Sequence, residues 1–144
     1  MFQRNPNEYI LAIQPYARAQ MQRDIFLIRK LLAEIARNYA TLMGNPEIPG
    51  HAPEVIAHHL ELLHQGGFLE VTGTPTDSPN GPKFVIKDLT WEGHELANVF
   101  LNEGVWRELT AKLTRDELNS VPLDILEQAG RDLIRKWANS KLGL

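Results

Sequence analysis

The chain has 144 residues, 43% of them hydrophobic, and a formal charge of −3, which suits one compact domain with an added helical arm and excludes a disordered chain. It holds no cysteine, so disulfides, thiol nucleophiles and thiolate metal sites are excluded together, and a reducing cytoplasm fits. The net charge sets up no general field that would attract phosphate, and charge therefore has to be read segment by segment.

In the opening MFQRNPNEYILAIQPYARAQMQRD, the only apolar run is Tyr9 to Ile13. That is far short of a signal-peptide core or a membrane span, and a soluble, cytoplasmic protein is expected. From Asp24 to Tyr39, Ile25, Ile28, Leu31, Leu32 and Ile35 recur at helical spacing, with Arg29, Lys30, Glu34 and Arg37 mostly elsewhere on the wheel. MGNPEIPGHAP then breaks the period with prolines and glycines and sets Pro53 in the first turn of a second helix. QGG closes that helix with a left-handed cap. FLEVTG and KFVIKDLT alternate like strands, and the polar, Pro-rich TPTDSPNGP between them predicts a hairpin with a long tip. WEGHELANVFLNEGVWRELTAKL predicts two helices separated near Gly104. A last helix takes Ser120 as N-cap and Pro122 in its first turn, with a stripe of Leu126, Ala129, Leu133 and Trp137.

Helix, turn, helix, two-stranded wing, helix is the order of a winged helix. HLELLHQGGFLEV resembles the end of a winged-helix recognition helix entering the first wing strand. LTWEGHELA resembles the segment that closes the second wing strand, where Thr90 caps the next helix and Gly93 lets its first turn approach neighbouring backbone. From Met21 onward, MQRDIFLIRKLLAEI, VIAHHLELLHQGGFLE, LTWEGHELANVF, VWRELTAKL and PLDILEQAGRDLIRKWANSKLGL resemble a bacterial and prophage domain-of-unknown-function family, the DUF2513 type. The resemblance implies a winged-helix-like fold and a phage or mobile-element setting, and it brings no activity and no catalytic residue. The expected fold is α+β, mostly α: a winged helix-turn-helix-like domain with a two-stranded β wing and extra C-terminal helices. Residues 1–20 are read as an extension, 21–103 as the winged-helix-like core, and 104–144 as helices packed on the core or used for dimerisation.

Three histidines crowd EVIAHHLELLHQGGFLE, but their spacing is wrong for a metal. Two helical ligands have to converge from i and i+4, whereas His58 and His59 diverge by about 100° and His64 is off-face again. No metal and no cofactor are expected. Ser78, Ser120 and Ser140 sit in a loop tip, a cap and the tail, without a supporting base, and no phosphate-cradling loop appears. The chain is therefore read as no enzyme, with no small-molecule substrate evident.

A recognition helix would show Glu54, His58, Glu61 and Gln65 to its partner, and between Arg37 and Lys83 there is no Lys or Arg at all. Two carboxylates facing DNA oppose binding. Candidate basic contacts lie elsewhere, at Arg29 and Lys30 on the first helix and Lys83 and Lys87 on the wing. The expected function is a non-catalytic, regulatory, phage-associated interaction module that binds a protein or itself, the terminal stripe serving either the core or a homodimer. The alternative is a DNA-binding transcriptional regulator.

Overall fold

The computed structural model describes residues 22–38 and 41–144; the expected extension, residues 1–20, lies outside them. Along the described chain run α1 (Ile25–Arg37), α2 (Pro53–Gln65), β1 (Leu69–Val71), β2 (Ile86–Leu89), α3 (Trp91–Phe100), α4 (Glu103–Lys112), α5 (Arg115–Ser120) and α6 (Leu123–Leu142). The fold is α+β and mostly helical, with β1 and β2 forming an antiparallel pair.

The apolar stripe of α1 is buried in full at Ile25, Leu27, Ile28, Leu31, Leu32 and Ile35. Asp24 starts the helix by accepting hydrogen bonds from the amides of Phe26 and Leu27 at 2.9 and 3.4 Å. At the end of α2 the Gly67 amide donates to His64 O and the Phe68 amide to Leu63 O, at 3.0 and 2.9 Å. That pair of bonds needs a left-handed residue, and Gly67 supplies it with φ +82°. The chain thereby turns straight from α2 into β1.

Leu69 pairs with Leu89 and Glu70 with Asp88, and the register then slips so that Val71 faces Ile86. On the other side of β2, Ile86 exchanges both backbone bonds with Met43, at 2.7 and 3.0 Å. The connection between α1 and α2 thus adds a third rung to the hairpin, a contact with no local sequence signal. Thr90 closes the hairpin: its hydroxyl donates to Gly67 O at 2.6 Å and accepts from the Gly93 amide at 3.1 Å. Gly93 lies so near β1 that a Cβ there would come within 2.2 Å of Phe68 O.

The C-terminal half departs from the expected boundaries. The break before α4 falls at Leu101 and Asn102 rather than at Gly104, because the Asn102 side chain accepts from the Val105 amide and Gly104 is already helical. Ser120 is not the cap of the last helix; it ends α5, its hydroxyl turned back to Asp116 O at 2.7 Å, and Pro122 stands before α6. The short α5 was missed. Its signal is local, a box in which Thr114 accepts from the Glu117 amide while Glu117 accepts from the Thr114 amide.

One buried cluster runs from Ile25 to Leu126 and includes Val105, Leu109 and Leu118 along with residues of α1, α2 and the hairpin. The stretches 21–103 and 104–144 thus share a core. α6 approaches α3 through Gly130, where a Cβ would lie 2.3 Å from a Val99 methyl. Arg23 fastens the start of α1 to the other end, donating to Leu118 O and Val121 O, while Asn119 accepts from the Ile25 amide at 2.8 Å. No helix among the described residues is long and apolar enough to cross a membrane.

Candidate interaction surface

Each turn of α2 assigns its side chains by spacing. Ile56, Leu60 and Leu63 are buried with Ala57 and His59, which leaves Glu54, His58, Glu61 and Gln65, at i, i+4, i+7 and i+11, on the outer face. Glu54 and Gln65 are exposed and His58 and Glu61 partly so. The four do form one face, knitted by a bond from Gln65 Nε2 to Glu61 Oε1 at 3.4 Å.

His59 is directed inward, with 0% of its surface exposed. Its Nε2 lies 2.8 Å from the Asp24 amide nitrogen and its Nδ1 2.7 Å from Val55 O. A backbone N–H can only donate, so Nε2 is the acceptor and the ring proton resides on Nδ1. Burial pushes the His59 pKa below its ordinary value, and both nitrogens are engaged in tying α1 to α2. Among the described residues no three His, Asp or Glu side chains converge as ligands would.

Of the basic residues, Arg29 is turned to the structural side of α1. Its Nε donates to Phe100 O at 2.7 Å, its guanidinium pairs with Glu103 at 3.0 Å, and it stacks on Trp106 at 4.8 Å from the ring centre. Lys87 pairs with Glu70 across the hairpin at 3.4 Å. Lys30 and Lys83 are exposed. Two of the four basic positions, Arg29 and Lys87, are thus engaged in ion pairs within the fold.

The packing of the hairpin tip has no local signal in the sequence. Ser78 to Gly81 form a turn in which the Ser78 hydroxyl donates to Gly81 O and accepts from the Asn80 amide, and Gly81, with φ +95°, sits close enough to α2 that a Cβ would lie 3.1 Å from that of Ala57. Asn45 clamps the returning strand from the other side: its Nδ2 donates to Pro82 O and its Oδ1 accepts from the Phe84 amide, both at 2.9 Å. Between the tip and residues 44–53 this leaves a cleft of about 930 Å³. Ile48, Ile56, Phe84 and Val85 line it together with Pro46, Pro49 and Pro53 and the polar Glu47, His51, Thr74, Thr76 and Lys83. Such a mostly apolar concavity with a few polar groups suits a ligand or a segment of another chain. No motif marks Asn45; its importance comes from partners 37 and 39 positions away.

The terminal stripe divides. Leu126 is buried in the core, Ala129 is exposed, Leu133 is half-buried, and Trp137 lies over Gly104 with 38% of its surface exposed.

A sequence profile for a family described as "Hypothetical protein (DUF2513)" matches residues 22–119. An uncharacterized protein of Haemophilus influenzae is 28% identical over 117 residues, covering 79% of this chain and 96% of that protein. No solved structure matches.

Proposed function

We propose that this chain, which belongs to the DUF2513 family of hypothetical proteins, is a non-catalytic, winged-helix-like interaction module that binds a protein or its own copy in a regulatory, phage-associated setting. Support for the winged-helix reading comes from the order α1, α2, hairpin, α3 and from the Met43 rung beside β2. The phage setting rests on the family resemblance. In support of the non-catalytic reading, the Ser78 and Ser120 hydroxyls are bonded to backbone carbonyl oxygens rather than to a base.

One observation carries the choice of a protein partner. The outer face of α2 presents Glu54, His58, Glu61 and Gln65 without a Lys or Arg, and an apolar cleft opens beside its first turn at Pro53 and Ile56. A polyanion is repelled by the carboxylates and gains nothing from the apolar lining, whereas a polypeptide can use both. The alternative, a DNA-binding regulator, has the exposed amines of Lys30 and Lys83 in its favour.

The chain's lack of cysteine gives a direct test. Val85 lines the cleft and is 46% exposed, so Val85→Cys can carry a photo-crosslinker without disturbing the core. Labelled after purification and added to an extract of the native host, it is expected to crosslink to one protein, while the same probe on Asn98→Cys, an exposed position of α3, does not. Adducts that are mainly nucleic acid, or the same from both positions, would overturn the reading.

A further inference from the structure

We propose that the Asn80–Gly81 step at the hairpin tip is a site of spontaneous deamidation, gated by local opening of the tip. Of the nine asparagines in the chain, Asn80 alone precedes glycine; Asn5 and Asn45 precede proline, and the others precede residues with a side chain. The distinction is chemical. The backbone nitrogen of the following residue, once it loses its proton, attacks the asparagine Cγ. A side chain on that residue obstructs the approach, and a proline nitrogen has no proton to lose. As the new N–Cγ bond closes a succinimide ring, the Cγ–Nδ2 bond breaks and Nδ2 takes up the proton and leaves as ammonia. Water then opens the ring at one carbonyl or the other. The product is aspartate, or isoaspartate with the backbone running through Cβ and Cγ. Nothing is oxidised or reduced, and water is the only co-reactant.

The fold holds this step in check. The Gly81 amide donates to Ser78 O at 3.0 Å, so the nitrogen that has to attack is engaged. The Ser78 hydroxyl secures the same turn, donating to Gly81 O at 2.7 Å and accepting from the Asn80 amide at 3.2 Å. Little else retains the tip. None of residues 77–82 is buried, and Asn80 is exposed. Below them Thr76 and Lys83 exchange both backbone bonds, at 3.0 and 2.8 Å, and close the hairpin independently of its end. Opening therefore gives up the Ser78 turn, the bond from Asn45 to Pro82 O and the contact of Gly81 with Ala57, far less than unfolding the chain. Deamidation leaves a carboxylate, ionised at neutral pH, at a position that lines the cleft. The isoaspartyl form also adds a methylene to the backbone within a turn closed by the Ser78 bonds, so its tip no longer fits against Ala57. The effect on a partner in the cleft rests on the interaction reading above; the modification itself does not.

Mass spectrometry of the full chain, incubated folded at mildly alkaline pH and then digested, tests the proposal. Asn80 is expected to gain one mass unit, as a mixture of aspartate and isoaspartate, before any other asparagine does. Asn80→Gln should abolish the gain, because the larger ring closes far more slowly. Ser78→Ala removes the hydroxyl that secures the turn and should speed the reaction several-fold. Gly93→Ala weakens the fold away from the tip and should leave the rate unchanged. An Asn80 that stays intact in the folded chain while it deamidates in urea overturns the proposal, as does another asparagine reacting first. A rate indifferent to Ser78→Ala, or one that rises with Gly93→Ala, shows that the tip does not open on its own and overturns the gating.

Discussion

His59 is the buried polar side chain of the core, and its two hydrogen bonds explain why a histidine stands there. Because burial lowers its pKa, the folded protein keeps the ring neutral at a pH where the unfolded chain, with an ordinary value of about 6.5, already takes up a proton. The stability this gives is present above about pH 6.5 and is lost as pH falls through that value towards the folded pKa. His59→Ala leaves the Asp24 amide without its acceptor beside a cavity and should cost about 2–4 kcal/mol. Thermal unfolding checks both statements: the midpoint of the wild type should fall more steeply than that of the variant as pH is lowered from neutrality. Parallel pH profiles would mean that folding does not lower the His59 pKa.

At the scale of elements, the features legible in the sequence were those fixed by near neighbours. The α1 stripe, the glycine cap after α2, the hairpin and the Thr90 cap each depend on residues a few positions apart, and each is present. Gly93 was read as a site of close approach and is pressed against Phe68 O. Gly93→Ala should therefore destabilise by at least about 2 kcal/mol, more than the fraction of a kcal/mol that alanine normally gains over glycine in a helix. A chemical-denaturation midpoint that stays level or rises would show that β1 and α3 can part without penalty. What the sequence did not reveal depends on distant partners. Nothing near Met43 signals its pairing with Ile86, nothing near Asn45 signals the wing, and Arg29 reads as a surface base until Phe100 O, Glu103 and Trp106 are brought to it. The short α5 had a legible box at Thr114 and Glu117, but its one buried side chain, Leu118, shows no periodicity.

Across the whole molecule, the same long-range contacts decide which charges remain available. Arg29 is taken up by α3 and α4, and Lys87 by Glu70. The tip of the hairpin folds onto Ala57, and the cleft it helps to form reaches the first turn of α2 at Pro53 and Ile56. Protein recognition over DNA stands or falls on the affinity for random duplex DNA at physiological salt. Binding is expected to be weaker than the ~10⁻⁴ to 10⁻⁶ M typical of non-specific DNA binders, with a gain in affinity on Glu54→Lys with Glu61→Lys. Micromolar or tighter binding by the unmodified chain, steeply reduced by salt and lost on Lys83→Ala, would contradict it and favour the regulator.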